Sequence, residues 1–112
     1  MGDSVSIQLL NIDSVDEQLK IHRAAFGEDV DLIEERKFWI KKHYENPLGP
    51  SLIFGAIIND SIVGMNAYMP VRYYLNGEQV IMLQSCESGV LPSCQGKGIW
   101  KKVVTYAIEY NL

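Results

Sequence analysis

The run Val90-Leu91-Pro92-Ser93-Cys94-Gln95-Gly96-Lys97-Gly98-Ile99-Trp100 stands between an apolar, strand-like segment and an amphipathic helical one. A Gly-Lys-Gly turn that opens a helix presents several backbone N–H groups with no intrahelical acceptor. With the positive end of the helix dipole, those donors form a ready site for a phosphate or pyrophosphate. Other phosphate loops fit less well. A Walker-type loop needs Ser or Thr directly after its Lys, where Gly98 stands, so no hydroxyl is at hand for magnesium. A dinucleotide fingerprint needs a third Gly where the chain has Lys101.

Downstream, Trp100, Val103, Val104, Ala107 and Ile108 are spaced to stripe one face of a helix over 98–112, with Lys101, Lys102, Thr105 and Glu109 on the other. Upstream, Glu78 to Val90 reads as a strand. Its first half, Val80 to Leu83, is apolar at consecutive positions, which predicts a central strand covered on both faces. Its second half, Gln84 to Ser88, turns polar without a turn signal, which predicts an opening into a cleft. Asn76-Gly77 is the preferred pair for a type I′ hairpin turn and joins this strand to Ile62–Tyr74. Pro70 cannot donate to a ladder and marks a bulge or an edge. Asn59-Asp60 is a second two-residue turn, reached from the strand Ser51–Ile58.

Two helices precede this meander, after a short strand Ile7–Leu10. Ser14-Val15-Asp16-Glu17 matches a capping box, and Val15, Leu19, His22 and Phe26 give the first helix one face, ended by Gly27. Asp31 and Glu34 open the second helix, lined by Leu32, Ile33, Trp39, Ile40 and Tyr44 and broken by Asn46-Pro47 and Gly49-Pro50.

At 112 residues, 47% hydrophobic and 21% charged, the chain has the makings of one domain with a modest core. A net charge of −4 argues against a nucleic-acid partner, which calls for a basic face. No apolar run approaches the roughly 20 residues that cross a bilayer, so no membrane association is expected. The start, Met1-Gly2-Asp3-Ser4, lacks the basic and apolar regions of a secretory signal, and a cytoplasmic location is expected. Cys86 and Cys94 are too few for a disulfide framework and fit a reducing compartment. His22 and His43 lie far apart, and neither pairs with a Cys or carboxylate at ligand spacing, so no metal site is read. The chain stops as its last helix finishes, and the expectation is the front part of a larger domain, 1–112, truncated after the helix 98–112.

A first strand, two helices, a three-strand meander, then Gln95-Gly96-Lys97-Gly98 at a helix start: this order resembles the GNAT acetyltransferase superfamily. Its signature, Gln/Arg-x-x-Gly-x-Gly/Ala, is met by Gln95, Gly96, Lys97, Gly98 and Ile99, with Val90 and Pro92 also where that family commonly has them. The last position departs: Trp100 stands where the family has a small residue. The resemblance implies an α/β (α+β) fold, the N-terminal half of a GNAT domain, with a mixed, mostly antiparallel sheet flanked by helices. It implies an acetyl-CoA-dependent N-acetyltransferase acting on a small-molecule or peptide amine. By the same resemblance, Ser88, Gly89 and Val90 bond the pantetheine arm like an added strand, Gly89 suiting a bulge. The main chain of Gly96, Lys97, Gly98, Ile99 and Trp100, beside Gln95, cradles the pyrophosphate. Gln84 stands where some members carry a catalytic glutamate, and a glutamine is no base.

Glu87 is the candidate general base, since burial near a cleft raises a carboxyl pKa toward the working pH; a solvated strand residue is the plain alternative. Cys86 and Cys94 read as small hydrophobes, with no nearby histidine in sequence to activate a thiolate. His22 reads as a packed core histidine. Tyr68, Arg72 and Tyr73 read either as one wall of an acceptor groove or as strand packing. Three function classes remain: the acetyltransferase, a non-catalytic CoA-binding or interaction module, and an inactive fragment. An open outer edge after Val90 would invite a homo-oligomer.

Overall fold

Two tight turns build the sheet. Asn59 and Asp60 have φ of +50° and +63°, and Asn76 and Gly77 have +52° and +81°. Positive φ at both central residues is what a type I′ hairpin requires, and Asn, Asp and Gly are the residues that tolerate it. The computed structural model describes residues 4–26 and 31–110. The first turn joins β2 (Leu52–Ile58) to β3 (Ser61–Leu75), and the second joins β3 to β4 (Glu78–Val90). With β1 (Ser6–Leu9) they form a four-stranded sheet in the order β1-β2-β3-β4, antiparallel at every described pairing.

Helices α1 (Val15–Phe26) and α2 (Leu32–His43) cover one face, and α3 (Ile99–Glu109) covers the other. Strand alternation sorts the core accordingly. Ile53, Met65 and Ala67 pack with Val15, Leu19, Ile21 and Trp39, while Phe54 and Ala56 pack with Ile99, Val103 and Ala107. Gly64 lets α3 come close: a Cβ there would stand 3.3 Å from both an Ile99 methyl and the Gly89 carbonyl. Phe54, fully buried, sets its ring edge-on to Tyr106 and Tyr110 at 5.7 and 5.2 Å.

Several expectations from sequence are corrected. The first helix is led in by Asn11, whose side chain accepts from the Asp13 N–H on a 3-10 turn over Ile12–Ser14. Glu17 forms no capping box; its carboxylate reaches the Ile62 N–H instead, at 3.3 Å. Asp31 does cap α2, accepting from the N–H groups of Ile33 and Glu34. Leu32 and Ile33 are exposed, however, and the buried residues of α2 are Trp39 and His43. On α1, Ile21 and Gln18 are buried, and His22 lies half-buried with its ring 5.1 Å from that of Trp39. Gly27, expected to end that helix, lies outside the described residues.

The expected double cover over β4 is not there. β2 pairs with β3 only as far as Tyr68, so Met69–Leu75 and Glu78–Gln84 extend as a two-stranded ribbon. Ile81, Met82 and Leu83 are exposed on it, and the polar half of β4 is the more buried half. Pro70 marks an edge, standing in β3 just beyond its last pairing with β2. On α3 the core stripe is Ile99, Val103 and Ala107; Trp100 and Ile108 face outward, at 52% and 68% exposure. Phe54→Ala should therefore cost about 3–5 kcal/mol of stability, and Ile108→Ala less than about 0.5 kcal/mol, read from urea unfolding midpoints.

Candidate functional site

The start of α3 is bare. Gly98 occupies its N-cap position at φ +75° and ψ +14°, with no side-chain cap, and Gly96 stands at φ +78°. Any residue with a side chain would resist that left-handed conformation by roughly 1–2 kcal/mol. A Cβ on either glycine meets nothing within 4 Å, so the glycines are needed for backbone conformation and the space beside them is open. The helical ladder begins with Lys102 N–H donating to the Gly98 carbonyl at 3.2 Å. The amides of Ile99, Trp100 and Lys101 precede it and have no acceptor within the helix. They adjoin a cavity of about 300 Å³ lined by Val90, Cys94, Gln95, Gly96, Gly98 and Trp100. Lys97 is exposed and does not line the cavity, and the outward Trp100 ring is part of the wall rather than of the core.

The other side of the cavity is the end of β4. Leu91 N–H donates to the Val63 carbonyl at 2.8 Å. Because successive residues of a strand point their main-chain groups in opposite directions, Gly89 faces β3 while Ser88 and Val90 face the outer edge. Gln95 Nε2 donates to the Val90 carbonyl at 3.1 Å, which leaves the Val90 N–H as the outward donor. The bulge expected at Gly89 lies at Glu87. Ala67 pairs with Cys86 and Asn66 with Ser88, so Glu87 is the extra residue, at φ +33°.

Glu87 is also where three buried or half-buried groups converge. Lys42 Nζ forms an ion pair and hydrogen bond with its Oε1, and His43 Nε2 lies 3.1 Å from its Oε2. The fully buried His43 ring is anchored in turn: Nδ1 lies 2.7 Å from Ser51 Oγ, and the Trp39 ring is 4.5 Å away. Burial pushes the Glu87 carboxyl up, as the sequence suggested. Hydrogen bonds from His43, Cys86 and Lys42, with the Lys42 charge, outweigh it and hold the group well below the usual carboxylate range. Burial pushes the Cys86 thiol up to about 12, so it is no thiolate at neutral pH. His43, Cys86 and Glu87 put ligand-type atoms within 4.8 Å of one another, but Lys42 already holds the carboxylate. A neutral thiol and an ion-paired carboxylate make a weak donor set for a cation.

The structure thus gathers Val90, Gln95, Gly96, Gly98, Ile99 and Trp100 around one cavity and sets Ser88 on the same strand edge. Tyr68, Arg72 and Tyr73 do not make one groove. Tyr68 packs on Phe54 and accepts from Asn66, while Arg72 and Tyr73 lie on the exposed ribbon, on opposite faces of it. Lys42 and Ser51 are not singled out from sequence, and His43 is weighed there only as a metal ligand. The one signal toward them was the polar half of β4, which needed polar partners from some other element.

The sequence matches the model of an acetyltransferase (GNAT) domain over residues 6–111. No functionally curated protein matches it. Among solved structures, a GCN5-related N-acetyltransferase from Kribbella flavida aligns at TM-score 0.76 and 15% identity over 96% of this chain and 27% of its own. A GNAT family acetyltransferase from Brucella melitensis, solved in complex with acetyl-CoA, aligns at TM-score 0.73 and 20% identity over 97% of this chain and 69% of its own. A GCN5-related glucosamine N-acetyltransferase region of a fungal multi-domain beta-N-acetylglucosaminidase aligns at TM-score 0.73 and 20% identity over 98% of this chain and 12% of that one. The chain therefore spans about a quarter of the Kribbella protein and about an eighth of the fungal one.

A lowered folded-state pKa contributes stability that is present above the unfolded value, near 4.5, and is lost as pH falls below it. Urea midpoints should accordingly drop steeply as pH is lowered through about 4.5, and Glu87→Gln should be less stable at neutral pH with a shallower acid limb.

Proposed function

The chain belongs to the GNAT acetyltransferase domain family, and on that premise we propose that it binds acetyl-CoA and presents its acetyl group to an amine. The observation that carries the reading is the pair of left-handed glycines, Gly96 and Gly98, beside the bare N-terminus of α3 and the outward edge of Ser88 and Val90. Main-chain amides from Gly96 to Trp100 form a nest suited to the pyrophosphate. The pantetheine arm, an alternation of amides, runs along Ser88 and Val90 as an added strand would. Gly89 turns its own polar groups to β3, and its contribution is the absence of a side chain beside the arm. The amine attacks the thioester carbonyl, the C–S bond breaks, and CoA leaves as the thiol after proton transfer. An outward N–H such as that of Val90 polarises the carbonyl as an oxyanion-hole donor does, an effect of about 3–4 kcal/mol in well-studied cases.

Glu87, tied to Lys42 and His43, is too weakly basic to take the amine proton at neutral pH. Its role in this reading is to hold the strand. The acceptor is a small-molecule or peptide amine, and the free cysteines Cys86 and Cys94 fit a reducing, cytoplasmic setting. No described helix is long and apolar enough to cross a membrane. The outer edge of β4 has no partner strand among the described residues and is open to one from another chain. One observation favours a second reading, a CoA-binding module without turnover: Trp100 in the cavity wall, where a small residue would let the phosphates closer. CoA release with a panel of amines separates the two.

Titration calorimetry with CoA tests the site. Gly98→Pro, which removes an N–H and forbids the positive φ, should abolish binding while far-UV dichroism stays native. Lys97→Ala, which removes an exposed charge, should weaken it by less than about fivefold. CoA binding that survives Gly98→Pro unchanged would put the cofactor elsewhere.

A further inference from the structure

The sequence marks Gly89 as the place for a bulge in β4, and the structure puts the bulge at Glu87 instead. Gly89 accepts positive φ without cost. Glu87, which carries a side chain, adopts φ +33°, a conformation such residues avoid. What distinguishes Glu87 is the grip on both of its carboxylate oxygens by consecutive residues at the end of α2, Lys42 on one and His43 at 3.1 Å from the other. That grip is itself braced. Ser51 holds the His43 ring at 2.7 Å and donates its own N–H to the His43 carbonyl at 2.7 Å.

We propose that Lys42 and His43 are positioning residues: they hold the bulge at Glu87 against the competing preference of Gly89, and so turn the main chain of Ser88 to the open edge beside Val90. From Leu75–Glu78 to Ala67–Cys86 the strands run in one register, and from Asn66–Ser88 to Gly64–Val90 they run one residue displaced. With the extra residue at Glu87, Gly89 bonds to β3 and Ser88 faces out. With the extra residue at Gly89, Ser88 would pair with Met65 and face in, while Val90 would stay where it is. The clamp therefore decides whether the residue displayed outward before Val90 is Ser88 or Glu87. Its link to CoA rests on the function proposed above; the register claim does not.

Amide hydrogen exchange with cross-strand NOEs, on the free 112-residue chain, reads the register directly. In the wild type, the Gly89 and Leu91 amides should be protected and those of Ser88 and Val90 fast. Lys42→Met should shift the bulge, so that Ser88 gains protection and Gly89 loses it by at least tenfold. Glu87→Gln, which keeps the size and removes the charge, is the second arm should Lys42→Met fail to fold. Adding Gly89→Ala to Lys42→Met removes the competing site and should restore the wild-type pattern, which a merely stabilising ion pair would not predict. Unchanged Ser88 and Gly89 protection in the folded single variants, or a wild type with Ser88 protected, would overturn the proposal. CoA affinity should fall about tenfold in Lys42→Met. A wild type that binds no CoA would overturn the proposed function and leave the exchange pattern to decide the clamp.

Discussion

A strand can offer only every second residue to a given neighbour, and β4 lives by that rule with β3 on one side and, among the described residues, no strand on the other. Whichever residues β3 does not use are the ones the edge displays. One inserted residue therefore changes the chemistry of the edge without changing its sequence. The bulge at Glu87 is that inserted residue, and the site beside α3 inherits its geometry. Gln95 extends the effect by satisfying the Val90 carbonyl, so the edge at Val90 is a donor only.

The ion pair that fixes this arrangement is a poor source of net stability. Two charges withdrawn from water lose hydration comparable to what they gain from each other, and a well-packed apolar pair would do as well or better. What a buried pair supplies is a heavy penalty on arrangements that separate it. That suits the task here, which is to hold the bulge at Glu87 against the lower backbone cost of Gly89. Lys42 also stands in the last turn of α2, where the helix dipole favours positive charge, so the ammonium sits where the helix accepts it.

The parts legible from sequence were those decided by neighbours in the chain. Asn59-Asp60 and Asn76-Gly77 specify their turns through their own backbone preferences, and Gly96 and Gly98 declare a left-handed turn before a helix. The parts that were not legible depend on distant contacts. Glu87 lies 45 residues from Lys42, and no local periodicity links them. On α3, two apolar stripes share the same helical spacing, Trp100–Val104–Ile108 and Ile99–Val103–Ala107. Periodicity cannot rank them. The inner stripe has the smaller residues, and the close approach at Gly64 selects it. The apolar run Val80–Leu83 implied cover on both faces, yet that stretch belongs to a ribbon reaching beyond β2.

The outward placement of Trp100 bears on how the two halves of the site cooperate. Had it led the core stripe, it would have pushed α3 away from Gly64, where there is no room even for a methyl group without adjustment. The helix N-terminus would then have moved off the end of β4. Turned outward, the indole leaves α3 seated and becomes part of the cavity wall, next to the free amides. A bulky residue at that position is thus compatible with the fold because the inner stripe carries the packing. Its cost or benefit falls entirely on what enters the cavity: an indole face offers a ligand an apolar surface where a small residue would offer closer approach to the main chain. The same substitution that looks like a defect in a signature motif is, in this geometry, a change of lining rather than a change of scaffold.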